Sequence, residues 1–130
     1  MSVQYIFFYG TLMCPDVYQA VTGRELIAEK ASLKNYRIYS LKNRVYPGIV
    51  PFRGAEVCGL MTKVDAETIM RLDQFEGGEY ERLSVNISDQ SDNKLTGWAY
   101  VLREDSYHIL ASAGWSFQNF LENELANYLP

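Results

Sequence analysis

The chain contains one histidine, His108, and only two cysteines, Cys14 and Cys58. These shortages exclude several kinds of chemistry. A zinc site built from the usual His and Cys ligands has too few donors. A Ser-His-Asp or Cys-His arrangement would have to use the one imidazole. That imidazole sits in Ser106-Tyr107-His108-Ile109, with no Gly-x-Ser-x-Gly elbow anywhere in the chain. A solvated or locally hydrogen-bonded histidine is the simpler reading. The cysteines are far apart and form no Cys-x-x-Cys, so free thiols and a reducing, cytoplasmic location are the default. A phosphate loop, a dinucleotide-binding glycine fingerprint and a basic cluster are also missing. With a net charge of −4, nucleic acid and anionic membrane are poor partners for it. The opening Met1–Phe8 has no basic segment and its apolar run breaks at Gly10. It reads as neither signal peptide nor membrane span.

What the chain does have is aromatic, strand-forming sequence. Ten Tyr and six Phe occur among 130 residues, a length that suits one domain over 1–130. Tyr5–Tyr9 reads as a buried strand, and Pro15 opens a short helix that Gly23 ends. Leu33–Leu41 reads as a strand, Tyr46-Pro47-Gly48 as a turn, and Ile49-Val50 as a short strand ended by Pro51. Val57–Val64 is another strand. Asp65 then caps a helix from Ala66 to about Phe75. Leu83, Val85 and Ile87 share one face of a strand that returns, through a polar hairpin loop, as Leu95–Leu102. Ser116 can cap a last helix, with Trp115 and Phe120 at hydrophobic-staple spacing and an apolar stripe as far as Tyr128. About six short, mostly hairpin-linked strands with helices between them predict an α+β domain with a closed or strongly curled sheet.

Two segments could carry chemistry. In Leu72-Asp73-Gln74-Phe75-Glu76-Gly77-Gly78, the positions Ile69, Leu72 and Glu76 stand at i, i+3 and i+7. Glu76 therefore lies on the buried face of the helix, at its negative end, while Asp73 and Gln74 point elsewhere. Burial and the helix dipole would both raise its pKa, which suits a general acid/base near neutral pH. A frayed last turn with Glu76 in water fits the same residues. The second segment is Phe8-Tyr9-Gly10-Thr11-Leu12, where a strand breaks into a glycine turn before a helix. Its successive N–H groups could cradle a carboxylate, and a plain strand-to-helix turn fits equally. Arg82 can pair with Glu79 or Glu81 on the surface. Alternation puts Tyr80 and Arg82 on one face, from which Tyr80 can reach toward Glu76.

Tyr9-Gly10-Thr11-Leu12, Tyr46-Pro47-Gly48, and Leu72-Asp73-x-Phe75-Glu76-Gly77 followed by Tyr80-x-Arg82 together resemble the gamma-glutamylcyclotransferase-like superfamily, in particular its plant avirulence-induced branch. The resemblance runs from Tyr5 to the last helix. It implies a small mixed β-barrel with flanking α-helices and a cavity at one end. It further implies a γ-glutamyl substrate held by Tyr9, Gly10, Thr11 and Leu12, and Glu76 as catalytic acid/base; Tyr80, placed by strand alternation, joins the candidate substrate-binding residues. No metal or organic cofactor is implied, and a monomer is the default. A non-catalytic module binding a small carboxylate or amine on the same fold is the alternative.

Overall fold

The period-two alternation of the strands resolves into two buried surfaces, one on each side of a closed barrel wall. The computed structural model describes residues 3–129, so Met1, Ser2 and Pro130 of the expected 1–130 domain lie outside the described residues. The strands are β1 (Gln4–Phe8), β2 (Ala28–Ser40), β3 (Pro47–Val64), β4 (Tyr80–Ser88) and β5 (Lys94–Leu102). They close in the order β1-β3-β2-β4-β5. β1 is antiparallel to β3 and parallel to β5, where Ile6 faces Trp98. A Ser32–Ser88 pairing joins β2 to β4. The sheet is therefore mixed, closed and flanked by helices, as expected.

Phe7, Leu33, Ile49, Val85, Ile87 and Val101 belong to one buried cluster, drawn from the barrel strands and from Tyr9 just beyond β1, which fills the barrel. Their neighbours in sequence point outward. Ile6, Phe8, Tyr80 and Tyr100 pack with residues of the helices α1 (Pro15–Thr22), α2 (Ala66–Glu76) and α3 (Phe117–Asn123) in a second cluster. One-residue alternation thus supplies both the barrel core and the seat for the helices. Gly23, with φ 73°, ends α1 in the left-handed conformation, and the Asp65 carboxylate caps α2 by accepting from the Thr68 N–H at 2.8 Å. The Ser116 hydroxyl accepts from the Asn119 N–H at 3.1 Å, and the Trp115 and Phe120 rings meet at 6.0 Å, so the predicted cap and staple both form.

Several expectations are corrected. The turn at Tyr46-Pro47-Gly48 and the strand break at Pro51 are absent, because Pro47–Val64 is one continuous strand. Pro51 is tolerated because the β2–β3 register shifts between Lys34 and Tyr36. There Asn35 takes a positive φ, and its side-chain oxygen accepts from the Gly54 N–H at 3.0 Å. β2 also starts five residues earlier than Leu33, at Ala28. Glu29 and Lys30 are exposed and unpatterned, and only pairing with β3 makes that segment a strand. The last helix is two: α3 stops at Asn123, and α4 (Leu125–Tyr128) follows Glu124. A two-turn 3-10 segment, Glu104–Ile109, was not predicted and carries the exposed His108.

Candidate active site

Glu76 is the last residue of α2, and Gly77 is what ends the helix. Gly77 sits at φ 74°, a conformation that strongly favours glycine, and its N–H donates back to the Asp73 carbonyl. The apolar face set by Ile69 and Leu72, both buried, turns the adjacent Glu76 toward the barrel. No hydrogen bond from a described residue lowers the pKa of its carboxylate. Burial first, then the nearby Asp73 charge, push its pKa up from 4.5 to about 8. Around neutral pH this group can hold or release a proton.

Facing it is the loop after β1. Gly10 lies flat against Pro47, where an added Cβ would come within 3.0 Å of the proline ring. The Met13 and Cys14 N–H groups are consumed in a 3-10 turn, donating to the Gly10 and Thr11 carbonyls. The Gly10, Thr11 and Leu12 N–H groups have no partner among the described residues. Three successive free donors at a glycine turn form an array suited to a carboxylate or an oxyanion. The Thr11 hydroxyl lies 3.2 Å from that of Tyr128 on α4, and Phe75 meets the Tyr128 ring edge-on. The C-terminal segment thus packs over the loop and beside Glu76.

Between Glu76 and the loop is a narrow cavity of about 20 Å³. Tyr9, Gly10, Thr11, Leu12, Glu76 and Tyr80, all singled out from the sequence, line it together. Tyr80 does not hydrogen-bond to Glu76. Its hydroxyl donates to the Pro47 carbonyl at 2.5 Å, and burial holds its proton far more tightly than usual. The Tyr9 hydroxyl likewise donates to the Tyr100 carbonyl at 2.7 Å. These tyrosines shape the cavity as neutral walls.

An outer hollow of about 300 Å³ also borders Glu76, lined by Asp73, Glu76, Gly77, Tyr80, Arg82 and Tyr100. Here the sequence reading needs two corrections. Asp73 does not point away from Glu76 but shares this hollow with it. Arg82 pairs with neither Glu79 nor Glu81, but through Nε and Nη2 with the two oxygens of Asp73, at 2.9 and 3.2 Å. Glu79 instead accepts from Arg44 and, at 2.8 Å, from the Tyr46 hydroxyl. Tyr46, Pro47, Asp73, Tyr100 and Tyr128 were not assigned to the site from the sequence. Their convergence follows from barrel closure; Tyr46 and Pro47, through the Tyr-Pro-Gly motif, and Asp73, through the motif that ends at Gly77, left a signal, whereas Tyr100 and Tyr128 left none. A larger hollow of about 780 Å³ lies near the start of β1 and the Arg24–Asp65 ion pair, and Glu76 is not among its lining residues.

Residues 6–117 match the family model described as gamma-glutamyl cyclotransferase, AIG2-like. The chain belongs to this family. It is 30% identical over 133 aligned residues to AIG2-like protein D of Arabidopsis thaliana, covering 99% of this chain and 86% of that one. To AIG2-like protein A of the same plant it is 33% identical, over 72% of this chain and 58% of the relative. Among solved structures, an Arabidopsis thaliana protein determined in solution superimposes with a TM-score of 0.78 at 24% identity, covering 98% of this chain and 78% of the other. A structure titled gamma-glutamyl cyclotransferase superimposes with a TM-score of 0.69 at 18% identity, covering 78% and 68%. At that identity the likeness establishes the fold. As an AIG2-like gamma-glutamyl cyclotransferase family member, the chain has family and fold support for a cyclotransferase-like function. No helix among its described residues is long and apolar enough to cross a membrane.

Proposed function

We propose that this protein is a γ-glutamyl cyclotransferase that converts a γ-glutamyl amino acid or amine into 5-oxoproline and the free amine, with Glu76 as its general acid/base. The substrate's α-nitrogen attacks its own γ-carbonyl carbon, forming the ring C–N bond as the C–N bond to the leaving amine breaks. Attack is intramolecular, so the first requirement is a folded substrate with amine and carbonyl in contact. The Gly10–Leu12 N–H array would hold the α-carboxylate or the developing oxyanion. Glu76 would take a proton from the α-ammonium and pass one to the leaving nitrogen. One residue serves both steps because both nitrogens meet at the same carbon.

The observation that carries this reading is the pairing of a half-buried, high-pKa carboxylate with three unpartnered N–H groups across one narrow cavity. The Glu76→Gln protein should fold normally yet form 5-oxoproline from γ-glutamyl compounds about 10²–10⁴-fold more slowly, as scored by mass spectrometry. Near-normal turnover by that variant would remove Glu76 from the mechanism. One observation favours a second reading, a non-catalytic module for small carboxylates or amines. At about 20 Å³ the inner cavity holds roughly one water as it stands. Thermal shifts measured alongside product formation separate the two readings, since the module would be stabilised by γ-glutamyl compounds without consuming them.

A further inference from the structure

We propose that Arg82 binds a carboxylate on the leaving amine, which makes the outer hollow a subsite for γ-glutamyl conjugates of amino acids in preference to those of simple amines. This inference rests on the cyclotransferase reading and deepens it. Cyclisation divides the substrate at the scissile C–N bond, and Glu76 must reach the nitrogen on each side of it. Glu76 lines both hollows. The glutamyl part belongs with the N–H array on the inner side. The group carried by the leaving nitrogen must then extend outward, where about 300 Å³ is open.

Two formal charges besides Glu76 line that outer space, Asp73 and Arg82, and their hydrogen bonding makes them unequal. Asp73 is already engaged at both oxygens. Oδ1 accepts from Arg82 Nε at 2.9 Å and from the Tyr100 hydroxyl at 2.7 Å, while Oδ2 accepts from Arg82 Nη2 at 3.2 Å. An incoming ammonium would compete with all three donors. Arg82, in contrast, has a donor to spare: Nη1 makes no hydrogen bond to any described residue. The guanidinium is held on two sides, by the bidentate Asp73 contact and by the Trp98 ring, whose centroid is 4.2 Å from Cζ. Its side chain is still 26% exposed. A guanidinium fixed in this way loses little freedom on binding, and its remaining N–H groups suit a carboxylate. Glu76 is taken up with the reacting nitrogens, so of the two remaining charges the one with a wholly unused polar atom is Arg82, and a free guanidinium N–H favours an anionic group.

The test compares γ-glutamylglycine with γ-glutamylethylamide, which lacks the carboxylate. For the wild-type protein kcat/KM should favour the glycine conjugate by about tenfold or more, the range of a charged hydrogen bond. The ratio should fall to about one in Arg82→Met and recover in part in Arg82→Lys. A purely structural Arg82 would affect both compounds alike and leave the ratio unchanged. An equal ratio in the wild type, or an unchanged one in Arg82→Met, overturns the proposal. A binding arm separates this from the parent reading: calorimetric titration of Glu76→Gln protein, with and without Arg82→Met, using the same two compounds. Preferential binding of the glycine conjugate that is lost with Arg82→Met upholds the subsite, even if wild-type protein yields no 5-oxoproline and the cyclotransferase reading fails. Equal binding of the two compounds, or no binding of either, rejects the subsite.

Discussion

Glu76 is held near a pKa of 8 by burial and by the Asp73 charge, so its protonation ties stability to pH. In the unfolded chain the same carboxyl returns to its ordinary value of 4.5. Between these values the folded protein holds a proton that the unfolded chain has lost. Stability therefore falls as pH rises through this window: the contribution is whole below about 4.5 and gone above about 8. Glu76→Gln has no such charge to bury. It should be more stable than the wild-type protein at pH 9, by on the order of 2–4 kcal/mol, and the difference should shrink steadily toward pH 5. Urea denaturation at several pH values measures this without reference to any substrate, and a pH-independent difference would contradict the assigned shift. The inward face of Glu76 was legible in the sequence because helical spacing from Ile69 and Leu72 fixes it. The partner of Arg82 was not. Asp73 precedes it by nine residues on another element, and the way the chain turns back through Gly77–Glu79 is what brings the two together.

At the scale of elements, the end of α2 sets the position of the acid. Gly77 and Gly78 are equivalent as sequence, yet only Gly77 has a positive φ, and neither would meet any atom with an added Cβ. Gly77→Ala should therefore cost about 1–3 kcal/mol through backbone conformation alone. Gly78→Ala should be close to neutral. Chemical denaturation of the two variants distinguishes them, and equal effects would mean that the cap does not set the helix end. Caps were the easiest features to read in advance. Asp65 and Ser116 act on N–H groups three residues away, within reach of the local sequence. The long β3 strand was misread at Pro51 for the opposite reason, since the register shift beside the proline, with residues 52–55 set against Asn35 alone, exists only once β3 pairs with β2.

At the scale of the whole molecule, barrel closure depends on β1 fitting between β3 and β5. Glycine permits that fit on both sides. A Cβ on Gly59 would run into the Phe8 carbonyl and lie 2.8 Å from the Phe7 ring, and one on Gly97 would lie 2.7 Å from both the Tyr5 carbonyl oxygen and Ile87. Backbone cannot yield as a side-chain tip can, so Gly59→Ala or Gly97→Ala should cost about 3 kcal/mol or more, or prevent folding. Gly114→Ala, with open space around its Cβ, is the neutral control. Near-UV circular dichroism and thermal unfolding would show the contrast, and a well-folded Gly59→Ala protein would refute the tight seam. The same closure brings the end of β1, the start of β3, the end of α2 and Tyr128 of α4 to one end of the barrel.

By itself the sequence determined the alternating strands, the helix caps, the inward-facing Glu76 and the glycine turn, because each depends on contacts a few residues long. Its motifs, taken together, also pointed to the family. Tertiary structure decided which strands share the barrel wall, that Pro51 lies within a strand, that Tyr80 donates to Pro47, and that Asp73, Arg82 and Trp98 make one fixed assembly beside Glu76. Those outcomes depend on pairing and packing between distant segments, whose geometry exists only once the barrel has closed.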